Sequence, residues 1–456
     1  MLESLIWQRF GIAADEFSRL RQLLLLASML MVGIVLGYTT GTALFFTKVG
    51  SAQMPVIYLL IGVLSFPVYS WFLQVVDRHK RSCLLRYMLL GSIALVLLMR
   101  LAIAVDCLPL YYGIYLGFYF QWVLIIDIVF PSLVSDYFTA VDWKRYVPFL
   151  AIALAGGQLL AGSLARLLAA YISSENILLT LPILYAVAIA QVVYLERHGG
   201  AIEASPHEQP SGLLESLKTF PQLVRQYPII FFVAVSPLLT NILYSLVQFQ
   251  SFTIYSRTFT NDQELTSFLG SMWIINSSIE LFVIYFFTRP LQERFGLNKM
   301  NLVYPLTTLS AFFALAFNFS LPSAIFANIN YNPLNKGIEG PVYHLNFNAV
   351  PQRFIGRVRT LGGGFFCSVG LSLGGGFLLI AQKVISDFQI SLIGMAIGLI
   401  FLVMRYLTGK AYLLTEYATE VSQITANDNC QDDLQNWSLS ASEEFHLELD
   451  YTQPGL

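Results

Sequence analysis

Seven ionisable residues sit inside stretches that are otherwise apolar: Arg100, Asp106, Asp127, Arg166, Glu280, Lys336 and Glu339. A charge at the centre of a hydrocarbon layer costs about 2.5–3.5 kcal/mol on insertion scales, so one that is retained marks a solute or proton path, or a bond between helices in the interior. Asp127, in Ile125-Ile126-Asp127-Ile128, has bulky apolar neighbours on both sides and must face the interior; Gln121 and Trp122 just before it suggest a polar cavity wall. Glu280 follows Asn276 by four residues, so the two share a helix face, a pattern suited to holding a proton or a polar solute. Lys336 and Glu339 are spaced to pair at i, i+3. They lie in the most polar stretch, where Pro333, Gly337, Gly340 and Pro341 weaken a helix. Interrupted helices of this kind expose backbone groups where solutes bind, and so polar a segment belongs against protein or water. Arg166 and Arg100 fall toward the outer ends of their stretches, where they either snorkel to the interface or join Lys336 in lining a path for an anion; Arg100 can also pair with Asp106. Three cations against four carboxylates make the set net negative, a poor match for a polyanion and a better one for a smaller or neutral solute coupled to protons.

Membrane helices must carry these side chains. Hydrophobic residues make up 56% of the 456-residue chain and charged residues 12%, with a mean hydropathy of +0.63, against about 45–50% and about 25% in soluble domains. A hydrocarbon core about 30 Å thick takes roughly 20 apolar residues per helix. Twelve such stretches run near 23–46, 55–76, 84–105, 110–134, 147–171, 176–195, 229–251, 267–288, 300–318, 322–349, 361–382 and 389–408. A run such as Leu23 to Leu36 is incompatible with the alternating strands of a porin-like barrel.

Lysines and arginines alternate from loop to loop. Fifteen follow the even-numbered stretches, whereas the opposite connections hold only Lys48, Arg257 and Lys383. Basic loops mark the cytoplasmic side, which places both termini there and requires an even number of spans. The longest connection, 196–228, is rich in glycine and proline and reads as a cytoplasmic linker between six-helix bundles at 23–195 and 229–408. Within it Leu213, Leu214, Leu217 and Phe220 have the spacing of a short amphipathic helix on the membrane surface. Residues 1–22 are expected to be a cytoplasmic N-terminus without a cleavable signal pattern. Residues 409–456 read as an acidic cytoplasmic tail, flexible beyond about 420, with Trp437 and Phe445 as docking candidates.

The second bundle repeats the first. Glycines stand 11 and 17 residues after Arg145, at Gly156 and Gly162, and again after Arg359, at Gly370 and Gly376, a shift of 214. Basic clusters, Lys144 with Arg145 and Arg353 with Arg357 and Arg359, open stretches five and eleven, which are related by six. Gly157, Ala161 and Ala165, like Gly370 and Gly374, have the small-xxx-small spacing that lets helices approach closely, and are expected to pack within each half.

No GxxxxGK[ST] loop is present and no soluble domain is large enough to hydrolyse a nucleotide, which excludes a primary pump. No metal-ligand spacing and no Ser/His/Asp constellation occurs, and Cys83, Cys107, Cys367 and Cys430 read as isolated thiols, so neither an enzyme nor a cofactor is expected. The fold class is all-α: a polytopic membrane protein with twelve transmembrane helices in two pseudo-symmetric six-helix halves, the major facilitator-like architecture of alternating access. Asp77, Arg78 and Arg81, after the second stretch, suit gating ion pairs that break when the inward side opens; anchoring of topology is the alternative.

Leu44-Phe45-Phe46 with Gly50, Pro55 and Tyr58, then Asp77-Arg78, Lys144-Arg145 with Pro148 and Gly156, and Pro351, Arg353, Arg357 and Arg359 before a glycine-rich span, together resemble the ATP/ADP translocase (nucleotide transporter) family, a distant branch of the major facilitator superfamily. The resemblance runs over most of residues 15–408 and implies that fold more firmly than a nucleotide substrate. The expected protein is a secondary active transporter or exchanger for a small metabolite, anionic and within the family's range a nucleotide. Asp127, Glu280, Asn276, Lys336, Glu339 and Arg166 are its candidate substrate or coupling residues. Its expected setting is the plasma (inner) membrane, as a monomer, with the lipid bilayer and a small solute as partners, protons as coupling ion, and no nucleic acid. The competing reading is a non-transporting scaffold or sensor whose acidic tail meets a cytoplasmic partner.

Overall fold

A computed structural model describes residues 14–105, 107–138, 140–198 and 213–428. Among these residues twelve long helices follow in chain order: α1 (Ala14–Lys48), α2 (Met54–Arg78), α3 (Arg81–Val105), α4 (Leu108–Val134), α5 (Ala140–Ala169), α6 (Ser174–His198), α7 (Ile229–Thr258), α8 (Asp262–Phe287), α9 (Arg289–Phe317), α10 (321–349), α11 (352–384) and α12 (Asp387–Asp428). Among the described residues, eleven helices are long and apolar enough to cross a membrane; α10 has the length but is too polar to qualify. Most are apolar around the whole circumference, as befits helices with protein on one side and lipid on the other. The peripheral faces of α3, α6, α9 and α12 expose Leu98, Leu101, Ile183, Phe313, Ile400 and Val403.

Packing repeats by six. In the first half α1 lies against α4, α5 and α6, and α3 against α6; in the second α7 lies against α10, α11 and α12, and α9 against α12. The most extensive crossings between the halves are α5 with α8 and α2 with α11, each of which maps onto the other under the same rule; α1 also lies against α8, and its counterpart α7 touches α2. With an even number of helices, the start of α1, the linker and the end of α12 share one face, called here the linker face; the opposite face is the far face.

Glycines set these crossings, in a register one residue from the 214-residue match. Gly156 and Gly376 face open space. The structural equivalents are Gly157 with Gly370, which press on α1 and α7, and Gly162 with Gly375, which press on α8 and α2. A Cβ on Gly162 would stand 2.5 Å from the Gly270 carbonyl oxygen, and one on Gly375 2.6 Å from the Leu59 nitrogen. Backbone cannot yield there as a flexible side chain would. Gly157, Gly370 and Gly374 pack within their own halves as expected, whereas Ala165 touches Gly270 of the other half.

Two segments outside the expected spans are helical. The linker forms a helix, Leu213–Gln226, whose buried Leu223 and half-buried Phe220 pack against the bases of α7 and α11 (Ile230, Val358, Phe366); the side chains of Leu213 and Leu214 lie outside the described residues. α12 also runs past the apolar stretch to Asp428, its helical extension anchored by buried Ala411 on the same cluster. Glu3, Arg9, Trp437 and Phe445 lie outside the described residues.

Candidate functional site

A cavity of about 230 Å³ lies between the halves, walled by α1 and α4 on one side and α7, α8 and α10 on the other. Its surface is aromatic and amide-rich. Tyr38, Tyr119 and Trp122 face Tyr244, Trp273 and Tyr331, with Thr42, Gln248, Asn276, Asn328 and Asn332 between them. The charged side chains in the wall are Asp127 and Lys336.

Both come from π turns. In α4 residues Val123–Val129 widen to i→i−5 bonding, ending with Phe130 N–H donating to the Ile125 carbonyl, one residue before Pro131. In α10 residues Asn330–Glu339 do the same, ending with Gly340 N–H donating to Asn335, one residue before Pro341. Proline cannot donate the bond an α-helix needs, and the extra residue in the turn accommodates the deficit. The sequence suggested that Pro333, Gly337, Gly340 and Pro341 interrupt α10; instead the helix stays continuous and swells. Gly337 has a separate task, since a Cβ there would meet Val283 at 2.8 Å, so its absence lets α10 close on α8.

Lys336 does not pair with Glu339. Its Nζ donates to Gln158 Oε1 of α5 at 3.1 Å, stands 3.7 Å from Glu280 Oε2, and lies over the rings of Trp122 at 5.3 Å and Trp273 at 5.5 Å. The two indoles stack on each other across the halves, with centroids 5.7 Å apart. One ammonium thus touches both halves at mid-depth. Glu280 is buried behind it, and Asn276 donates to Asn328 at 2.7 Å, so the expected shared face of Asn276 and Glu280 does meet the polar segment of α10. Asn328 in turn donates to the Tyr331 hydroxyl at 2.7 Å and accepts from Asn332 at 3.2 Å. The Asn276 Oδ1 has no donor partner among the described residues.

Asp127 is exposed to the cavity and, among the described residues, has neither a hydrogen bond nor an ion-pair partner; the charge of Lys336 still reaches it. Trp122 lines the cavity as expected, but Gln121 does not, because it turns outward to accept a hydrogen bond from Tyr185 of α6 at 3.0 Å.

Glu339 lies behind the cavity wall, ion-paired with Arg405 of α12, whose side chain is fully buried. Arg405 also donates to Asn301 of α9 at 3.3 Å. Arg405 and Gln158 were not singled out from sequence. Arg405 sits in an apolar run, Met404-Arg405-Tyr406, that carries the same signal as Asp127, while Gln158 gives no such signal. Arg166 is remote from the cavity, in a far-face pocket with Asn261 and Glu264. Arg100 donates to Asn176 at 3.3 Å; Asp106 lies outside the described residues. Arg81 pairs with Asp136, tying α3 to the end of α4 within the first half; the side chains of Asp77 and Arg78 lie outside the described residues.

The far face is closed by contacts between the halves. Ser256 donates to Ser51 at 2.9 Å, Ser174 and Thr266 share a bond of 2.9 Å, and the rings of Phe46 and Phe252 meet at 4.5 Å. Deeper in, Tyr58 donates to Gln248 at 2.9 Å.

No protein-family model matches the sequence, and no curated protein matches it. Solved structures do. A bacterial homolog of the human lysosomal transporter Spinster, in an inward-facing and unoccupied conformation, is 12% identical over 88% of this chain and 98% of its own, with a TM-score of 0.57. The nucleoside transporter NupG is 15% identical over 87% and 98%, at 0.56. A bacterial homologue of the iron transporter ferroportin, in an inward-facing state, is 15% identical over 86% and 99%, at 0.59. At such identities the likeness is one of fold, and it covers nearly the whole of each chain. The protein therefore has the twelve-helix, two-half, major facilitator-like fold expected from its sequence.

Proposed function

We propose that the protein is a secondary transporter that carries a small charged solute by alternating access, with the linker face cytoplasmic as the basic loops indicate. The observation that carries this reading is the mid-depth cavity, whose walls come from both halves and whose far-face exit is held shut by contacts between the halves. Lys336 supplies a subsite for an anionic group. A nucleotide, the substrate class implied by the family resemblance, would bring several negative charges to a wall whose charged groups are one lysine and one aspartate, with Glu280 behind. A solute with a single negative group suits this wall better.

Two measurements test the reading independently of the cargo. Spin labels at Gln53→Cys and Thr258→Cys, both exposed at the far face on opposite halves, should give two distance populations, closed and open. Uptake into proteoliposomes should be sought with amino acids, nucleosides, organic acids and phosphate, with and without a pH gradient. One narrow distance under every solute and pH, together with no uptake, would refute the proposal.

A further inference from the structure

We infer that the cavity recognises an amphoteric solute, its cationic group held by Asp127 and its anionic group by Lys336, so that one molecule ties α4 of the first half to α10 of the second. The inference rests on the transport reading and names the substrate class for the same site.

The two charges occupy matched places. α4 and α10 correspond under the six-helix repeat, and each carries its π turn immediately before a proline, Pro131 or Pro341. Asp127 stands four residues before the first proline and Lys336 five before the second, with opposite signs. Asp127 has no partner among the described residues, and Lys336 is held by one hydrogen bond to Gln158 and a long ion pair to Glu280. The Asp127 carboxylate faces the cavity and is open to a cationic group that enters. The 3.7 Å from Lys336 to Glu280 exceeds the roughly 2.7–2.9 Å of a good charged hydrogen bond. With its side chain 31% exposed, the ammonium can accept a closer anion.

Solutes of a single charge fit less well. An anion would satisfy Lys336 but leave Asp127 alone and add repulsion; a cation would do the reverse. An amphoteric molecule satisfies both and adds no net charge, and the surrounding tyrosines and tryptophans offer apolar ring faces to the part of the solute between its two charges.

The test compares phenylalanine with phenethylamine and phenylpropionate, and aminohexanoate with hexylamine and hexanoate. Binding is read as quenching of tryptophan fluorescence, since Trp122 and Trp273 line the site. At least one amphoteric probe should bind about 10- to 100-fold more tightly than either of its single-charge counterparts, the worth of one charge-assisted bond. Asp127→Asn, which orphans no ion pair, should erase the preference over the carboxylate and keep the preference over the amine. Equal binding of the anion-only probe, an unchanged ratio in Asp127→Asn, or no binding of any amphoteric probe overturns the inference. If the far-face labels still report two populations, the transport reading survives that failure; if they do not, both fall.

Discussion

Removing Arg405 isolates one structural interaction that sequence reading overlooked. The Arg405 guanidinium is fully buried, paired with Glu339 at 8% side-chain exposure, and flanked by the rings of Phe401 and Tyr343 at 5.6 and 6.0 Å. Replacing it with methionine keeps most of the packing volume but leaves the Glu339 carboxylate buried without a cation. Breaking such a pair from one side costs about 3–5 kcal/mol, whereas replacing both partners by neutral groups is often nearly neutral. Unfolding of a unit the size of one six-helix half shifts by about 2–4 °C per kcal/mol, so Arg405→Met should lower the apparent melting temperature in detergent by roughly 6–20 °C. Glu339→Gln alone should also destabilise, and the double variant should recover most of the loss. Some deficit should remain, because Asn301 loses a donor, although its reciprocal bonds with Asn346 at 3.1 and 2.9 Å persist. Arg405→Lys should fall between, because a single ammonium cannot reach Glu339 and Asn301 together as the planar fork does. Additive losses in the double variant would refute the account: the pair would then not be what holds α10 against α12.

Lys336→Met should abolish uptake and also destabilise, by leaving Glu280 uncompensated; adding Glu280→Gln should restore the melting temperature without restoring transport, so recovered uptake would remove Lys336 from the site. Gly270→Leu should lower the closed population in the far-face distance measurement, because its Cβ would stand 2.7 Å from the Gly162 carbonyl oxygen and force α5 and α8 apart; an unchanged distribution would count against the glycine crossing as the far-face seal. Ser51→Cys with Ser256→Cys should form a disulfide under mild oxidation, stop transport, and regain it on reduction; continued uptake by the fully oxidised protein would mean that the far face need not open.

Hydropathy and loop charge sufficed for the helices and their order, because burial in lipid constrains every turn of a spanning helix. The repeat was visible too, but its register was not. Glycines at a fixed offset exist in sequence whether or not a neighbouring helix arrives, and only the packing separates Gly157 from Gly156. Charges inside the spans pointed to Asp127, Glu280 and Lys336, which the structure brings to one region, but the expected pairing of Lys336 with Glu339 does not form. The i, i+3 spacing of Lys336 and Glu339 assumes a regular helix. The π turn between Asn330 and Glu339 changes the angular step, so Lys336 swings to α5 and α8 while Glu339 points to α12. Nothing in local sequence announced Gln158, because a glutamine in an apolar helix costs far less than a charge.

The distribution of bond strengths favours a machine of two rigid bodies. The ion pairs Arg81–Asp136, Arg86–Glu196, Arg257–Asp387, Lys336–Glu280 and Arg405–Glu339 each join helices of one half. Beside the ring contacts and helix crossings, the hydrogen bonds described across the halves are milder than these pairs: the hydroxyl bonds Ser256–Ser51 and Ser174–Thr266, the Tyr58–Gln248 bond, and the single charged donation from Lys336 to Gln158. Neutral bonds contribute about 0.5–1.5 kcal/mol each and the charged one about 1.5–3, together on the order of 3–7 kcal/mol. Driving a two-state equilibrium from 1:99 to 99:1 takes about 5.5 kcal/mol, which is the same scale. On the proposed transport reading, a solute that draws Lys336 away from Gln158 would remove the strongest of these bonds at a stroke, and the remaining hydroxyl pairs would exchange their partners for water as the far face opens. Had the ion pairs crossed the interface instead, the same motion would have had to expose or strand buried charges, at a cost no small ligand could offset.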